Sequence, residues 1–282
     1  MSTLNNKILI AGGSGFIGKY FLNSILHSNF YEIHIIHRSK SDLNFLKSHK
    51  KFHLYNIDDI GCNDIINIVK PHIAINFVCS YSKEMYFSNF EFGKLFVDSC
   101  IKHRVGYFIN THTLLKSDKS EYLKTKLLFV EYLKKEQNNI NIINISPELV
   151  YGNHYHENKL INYLATELKN KKEIHIMNSN QKRDFIHISD LINAYTSVIS
   201  NINKFKRFSQ IDVATGNLTT VKNFVNLFIE VFFKLNNSRV IFNNNSTYIL
   251  KYNLDTLKSF DWNYKISLNE GLSIMYNNLK NQ

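Results

Sequence analysis

Lys7-Ile-Leu-Ile-Ala-Gly-Gly-Ser-Gly-Phe-Ile-Gly18 decides how this chain is read. Lys7 to Ala11 is a short run without polar interruption, the mark of a parallel strand covered on both faces. Gly12 to Gly18 then turns the chain into a helix expected over Lys19 to Ser28, with Tyr20, Phe21, Leu22, Ile25 and Leu26 on its buried side. Strands follow at Glu32 to Ile36, Phe52 to Ile57 and Ile73 to Cys79, a helix at Phe87 to His103, a strand at Val105 to Ile109, a helix at Ser120 to Glu136 and a strand at Ile140 to Ile145. Such alternation predicts an α/β fold with a doubly wound parallel sheet, because the crossover rule leaves consecutive strands parallel. Beyond Pro147 and Gly152 the rhythm loosens, which predicts a dinucleotide-binding domain over 1–150 and a smaller α/β lobe over 151–282, with elements after 180 partly returning to the first domain.

Composition narrows the function classes. Hydrophobic residues are 44% and charged residues 20% of the 282, ordinary globular usage that excludes wholesale disorder. A formal charge of +11 favours anionic partners. The basic residues are scattered and no Cys/His finger spacing accompanies them, so no nucleic-acid partner is expected. Three cysteines without a Cys-x-x-Cys suit a reducing compartment and give no zinc-site spacing, and no metal is expected. No apolar stretch approaches the roughly 20 residues of a membrane helix, and the first residues lack an export pattern. A soluble, cytoplasmic protein with no membrane insertion is the expectation.

The glycine loop carries the first chemistry. Gly12 permits a tight turn, Gly15 lets a pyrophosphate come against backbone N–H groups, and Gly18 allows the helix to pack close to the strand. Phosphate charge then sits at the positive end of the helix. A carboxylate about 20 residues past the loop would bind the adenosine ribose; here His37-Arg38-Ser39-Lys40 occupies that stretch and no acid follows until Asp42. Arg38, with Lys40 beside it, suits a 2′-phosphate, so NADP(H) is favoured over NAD(H); the bland account is a solvated basic surface. Tyr122 and Lys126, four apart, share one helix face, where the ammonium would depress the phenol pKa and donate to a ribose. Thr111 at the end of the fifth strand would orient a substrate oxygen; Thr113 is the rival, and either could cap a turn.

In order along nearly the whole chain, Gly12-Gly-Ser-Gly-Phe-Ile-Gly18, Pro71-His-Ile-Ala-Ile-Asn-Phe-Val-Cys79, Asn89, Phe108-Ile-Asn-Thr111, Tyr122 with Lys126, Pro147-Glu-Leu-Val-Tyr-Gly152 and Lys182-Arg-Asp-Phe-Ile-His-Ile-Ser-Asp190 closely resemble the extended short-chain dehydrogenase/reductase family of nucleotide-sugar epimerases, dehydratases and reductases. The resemblance implies a Rossmann-like domain and a nucleotide-sugar substrate. It implies Tyr122 as general acid or base, Lys126 as the residue that lowers its pKa and holds the cofactor ribose, and Thr111 as the residue on the reacting oxygen. The implied cofactor residues are Gly12, Ser14, Gly15, Phe16, Ile17, Gly18, His37, Arg38, Ser39, Asn56 near the adenine, Ile57, Phe77, Tyr122 and Lys126. Arg183 resembles the arginine that grips the sugar-nucleotide diphosphate; read structurally, it would pair with Asp184 or Asp190. Members commonly dimerise through the helices expected here at 87–103 and 120–136, so a homodimer is implied; a thick monomer core is the other account of their aromatic and aliphatic faces.

The departures choose among reactions. Only ten residues separate Thr111 from Tyr122, Ser146 and Leu149 replace the usual Arg and Asn, and Val78-Cys79 replaces an Ala-Ala pair. Family 4,6-dehydratases place Asp-Glu after the threonine; His112-Thr113 offers no such acid–base pair. An epimerase must retain NAD, against which the basic Arg38 argues. The expected reaction is therefore NADPH-dependent reduction of the 4-keto group of a nucleotide-linked deoxyhexose. The short loop resembles bacterial reductases that turn a CDP-linked 4-keto-3,6-dideoxyhexose into CDP-paratose or CDP-abequose for O-antigen. The alternatives are a dTDP-4-keto-6-deoxyhexose reductase, an NAD-dependent nucleotide-sugar 4-epimerase and, from another class, a non-catalytic NADP(H)-binding regulator.

Overall fold

The structure is a computed structural model describing residues 6–26, 30–46, 51–115, 120–153, 160–170, 173–233, 239–244 and 251–280. Along the chain run β1 (Lys7–Ala11), α1 (Phe16–Ser24), β2 (Glu32–His37), β3 (Phe52–Asn56), α2 (Cys62–Val69), β4 (Ile73–Asn76), α3 (Phe92–Lys102), β5 (Tyr107–Thr111), α4 (Glu121–Glu136) and β6 (Asn141–Pro147). After them come β7 (Leu149–Tyr151), α5 (Leu160–Lys169), β8 (Ile174–Ile176), β9 (Lys182–His187), α6 (Ile188–Ser200), β10 (Phe208–Val213), β11 (Leu218–Thr220), α7 (Val221–Phe233), β12 (Val240–Phe242), α8 (Asp255–Lys258) and α9 (Leu268–Lys280). Two compact units form, one from Met1–Ser146 with Thr196–Ile211, the other from Pro147–Tyr195 with Asp212–Gln282.

The first unit holds a seven-stranded sheet in the order β10-β6-β5-β4-β1-β2-β3. The pairings from β3 across to β6 are parallel. The order reverses between β1 and β4, the switch point at which open α/β sheets leave a crevice outside the strand ends. Leu9, Ala11, Ile36 and Ala74 face a core completed by α2, α3 and α4. Within that core Phe96 of α3 meets Phe108 of β5 edge-on at 5.4 Å, and Phe108 meets Phe129 of α4 at 6.4 Å. Edge-to-face pairs contribute about 0.5–1.5 kcal/mol each beyond area burial, and this chain fixes α4 against β5.

In the second unit β9 pairs β7 in parallel and β11 antiparallel, and β12 pairs β8. Its core gathers Tyr151, Leu164, Phe185, Phe224, Phe228 and Leu272, with Phe185 and Phe224 stacked at 4.1 Å.

Several expected boundaries move. The first helix begins at Phe16 and ends at Ser24, and residues 27–28 of the expected span lie outside the described residues. β4 stops at Asn76, whose side chain accepts from the Val78 N–H at 3.1 Å and turns the chain out of the sheet. The fifth strand starts two residues later than expected and ends on Thr111 itself. The helix expected over 87–103 divides into a π-helical turn at Phe87–Glu91 followed by α3. Helices α2 and α8 and strands β7, β9 and β11 are not expected from the sequence. No described helix is long and apolar enough to cross a membrane.

Candidate active site

Gly12 leaves β1 at φ 83°, a left-handed conformation that glycine adopts freely. A Cβ built there would lie 2.7 Å from Phe77 C and Val78 N. At Gly18 a Cβ would run into the Gly12 carbonyl oxygen and stand 2.8 Å from Gly13 Cα. The loop is closed by Gly15 N–H donating to Gly12 O at 3.1 Å, and no side chain caps the helix start at Gly15. The result is a backbone cradle at a helix N-terminus, suited to phosphate.

The cradle opens onto a cavity of about 530 Å³ lined in part by Gly12, Ser14, Gly15, His37, Arg38 and Ile57. Phe77, Val78, Cys79 and Ser80 line it from the segment that leaves β4. This size suits a small-molecule site. Phe16, Ile17 and Gly18 stand behind the cradle in the first turn of α1. Ser39 and Asn56 do not line the cavity; they bind each other, Asn56 Nδ2 donating to Ser39 Oγ at 3.0 Å.

Two carboxylates that the sequence reading did not place here also line it, Asp58 and Glu84. Ser39 gives Asp58 both its N–H and its hydroxyl at 2.8 Å, and these bonds hold the Asp58 carboxyl below its ordinary range. Arg38 Nη1 donates to Glu84 Oε2 at 3.4 Å, an exposed pair. Asp42, the first acid after the loop, binds Lys19 at 3.3 Å, while Asp58 and Glu84 come to the cavity from later segments.

Beyond Cys79 lie the three expected catalytic residues. Ser120 caps α4 by accepting from Leu123 N–H, which places Tyr122 in the first turn and Lys126 one turn on. Lys126 is buried, and its Nζ donates to the backbone O of buried Thr111 at 2.8 Å. Asn89, in the π-helical turn, accepts from Ser80 N–H at 2.8 Å and donates to Thr125 Oγ1 at 3.3 Å, tying the post-β4 segment to α4. Tyr122 is covered by Tyr81, the rings stacked at 4.5 Å, and Cys79 Sγ donates to its hydroxyl at 3.8 Å. Thr113 spends its hydroxyl on the Leu115 N–H of a local turn at 3.1 Å.

The phenol does not follow the expected electrostatics. Burial, with Cys79 and Tyr81 adding to it, raises Tyr122 well above its ordinary 10. The expected depression by Lys126 is not the balance here, because the ammonium is directed to the Thr111 carbonyl. Burial first, then Lys126 and Lys134, push His112 down to about 4, and its Nδ1 is buried without a hydrogen-bond partner.

In the second unit Arg183 Nε donates to Glu148 Oε1 at 2.5 Å. Glu148 is buried, and burial raises its carboxyl although Arg183 opposes the rise. Neither expected partner takes the guanidinium. Asp184 accepts from Thr215, Gly216 N–H and the Tyr252 hydroxyl, and Asp190 accepts from Lys265 and Ile266 N–H.

Residues 8–214 match the NAD dependent epimerase/dehydratase family. The chain is 27% identical over 242 residues to CDP-abequose synthase of Salmonella typhimurium, covering 80% of each protein. It is 27% identical over 216 residues to that of Salmonella muenchen, covering 71% of this chain and 72% of the other. Among solved structures, dTDP-glucose 4,6-dehydratase of Bacillus anthracis in complex with NAD superposes with a TM-score of 0.83 at 17% identity, over 98% of this chain and 97% of that one. UDP-glucose 4-epimerase of Thermotoga maritima with UDP-glucose gives 0.80 at 19%, over 98% and 100%. At those identities the likeness to solved structures is one of fold; the match over residues 8–214 makes this protein a member of the NAD dependent epimerase/dehydratase family, with the extended short-chain dehydrogenase/reductase architecture.

Proposed function

We propose that this protein reduces the 4-keto group of a nucleotide-linked deoxyhexose with NADPH, the best substrate being CDP-4-keto-3,6-dideoxyglucose and the product CDP-paratose or CDP-abequose. The observation that carries the reading is the placing of half-buried Tyr122 one helical turn before buried Lys126, whose Nζ donates to the Thr111 carbonyl at the end of β5. A reduction needs an acid that keeps its proton until an alkoxide develops on the substrate, and a phenol with a raised pKa does so across the neutral range. A bound nicotinamide would supply the hydride. Lys126 holds the end of β5 and offers its remaining donors to a ribose; Thr111 is the residue assigned to orient the reacting oxygen. Arg183 is assigned the diphosphate, which a guanidinium fork suits.

Elimination of water is the poorer reading. His112, at about 4, is not a proton donor at neutral pH, and the Thr113 hydroxyl serves a turn. The two CDP-abequose synthase relatives favour a CDP-linked substrate. Exposed Leu127 and Leu128 on α4 support the expected homodimer through this helix and α3.

NADPH oxidation followed with a panel of CDP-, dTDP- and UDP-linked 4-keto sugars tests the reading. Turnover is expected with the CDP-linked 4-keto-3,6-dideoxyhexose above all others; binding of NADPH with no turnover on any member would leave the non-catalytic regulator instead.

A second reading, NAD-dependent 4-epimerisation, is favoured by Asp58 and Glu84 at the cavity beside Arg38. Arg38→Asp separates the two. If Arg38 leaves Glu84 for a 2′-phosphate, the variant should lose about 1.5–3 kcal/mol of NADPH affinity, with NADH little changed. Equal loss for both cofactors in a fluorescence titration would remove Arg38 from the phosphate pocket.

A further inference from the structure

At the amino ends of β2 and β3, opposite to the glycine cradle, Glu32, His34 and His53 bring one ligand atom each to within 4.8 Å of one another. We propose that these three residues form a Zn²⁺ site that clips the edge strand β3 to the sheet. His34 Nε2 stands 3.0 Å and His53 Nε2 3.6 Å from Glu32 Oε1. Donors around a tetrahedral zinc, with bonds near 2.0–2.2 Å, stand about 3.3 Å apart, so the two distances to Glu32 bracket that spacing, and a turn of the half-exposed His53 ring out of its stack on His34 brings the third donor onto the same ion.

The backbone builds this arrangement. Glu32 and His34 are two apart on β2 and point to one face. His34 is the register partner of His53 on β3, so the two imidazoles stand side by side, stacked at 4.7 Å. His34 is buried, and its other nitrogen, Nδ1, lies 3.1 Å from the Tyr55 hydroxyl. That is the outer hydrogen bond that orients a ligating imidazole. Lys7 Nζ, 3.8 Å from Glu32 Oε1, is the charge that zinc would displace from the carboxylate.

Two imidazoles and a carboxylate leave a fourth position for water, a donor set that suits zinc better than magnesium or calcium. His53 lies on the sheet's edge strand with its side chain half exposed, which gives the ion a way in. His37, at the other end of β2, lines the cavity; three residues from His34 and five from Glu32, at about 3.3 Å each, put the metal site about 10–16 Å along the strand from it. It is a separate site, and its consequence is structural: a metal bridging β2 and β3 would stabilise the edge strand whose far end delivers Ile57 and Asp58 to the cavity.

Calorimetric titration of untagged protein with Zn²⁺ tests this, with Co²⁺ absorption as the probe of tetrahedral geometry. One Zn²⁺ per chain is expected, with a rise in melting temperature and visible Co²⁺ bands. His53→Ala and Glu32→Gln should each weaken binding about tenfold or more, the scale on which metal sites respond to lost support, while NADPH affinity stays unchanged. His175→Ala, at the exposed two-residue pair of Glu173 and His175, should leave binding intact. A metal-free melting temperature for His53→Ala equal to that of the native chain would confirm that the loss is of a ligand and not of the fold; His53→Gln serves if alanine alters it. Unchanged Zn²⁺ affinity in both ligand variants, or no saturable binding in the native chain, overturns the site.

Discussion

Tyr122→Phe is expected to lower kcat by about 10²–10⁴-fold, the contribution of a positioned general acid, with NADPH affinity nearly unchanged. The substitution removes one oxygen and keeps the ring that stacks on Tyr81 at 4.5 Å, so the fold is preserved. Stopped-flow turnover with the keto sugar, alongside NADPH titration, reads both quantities; full activity in the variant would end the acid assignment. The pH profile adds a second readout. The acid must be protonated to act, so activity is lost as pH rises through the phenol pKa. With Tyr122 well above 10, kcat should stay level through neutral and mildly alkaline pH. A descending limb near pH 7–8 would instead mean that Lys126 reaches the phenol in the bound state and depresses it.

Gly12→Ala is expected to cost both stability and cofactor binding. A side chain at φ 83° costs about 1–2 kcal/mol. Its Cβ would sit 2.7 Å from Phe77 C and Val78 N. Those are backbone atoms, held by the Phe77 N–H donating to Ala11 O at 2.9 Å, and crowding of this kind adds about 1–3 kcal/mol. At roughly 2–4 °C per kcal/mol for a domain of this order of size, thermal unfolding should shift down by about 4–20 °C, and NADPH binding should be lost with the cradle's shape. Gly15→Ala separates the two effects, because its added Cβ would meet only the Gly12 carbonyl at 3.3 Å. It should melt near the native temperature and still bind NADPH more weakly. A Gly12→Ala protein with native melting and native NADPH affinity would show that the cradle does not hold the phosphates.

The sheet was legible because parallel strands buried on both faces read as unbroken apolar runs, and Lys7–Ala11 and Ile73–Asn76 are such runs. Helix α2 was not, since it has eight residues and the residue before it, Gly61, offers no side-chain cap. β7 and β11 have three residues each, too few for a period to declare itself. Thr111 stands at the strand's edge, although the apolar run from Val105 to Ile109 points to a strand two residues earlier than the one that forms. The Glu32–His34–His53 trio left half a signal, an acid and a histidine two apart, and its third member depends on strand register.

Spacing within one element is set by the periods of helix and strand, which is why the chain alone determined the glycine turn and the common face of Tyr122 and Lys126. Register and packing decided which distant groups meet: Tyr81 over Tyr122, Asp58 on Ser39, Glu84 beside Arg38, and Glu148 on Arg183. Such partners lie on different elements, where no local period acts, and their electrostatics follow from burial that only the assembled core creates. The direction of the Tyr122 shift is the plainest case: helix spacing promised a nearby cation, and the folded chain turned that cation to the Thr111 carbonyl and stacked Tyr81 on the phenol ring instead.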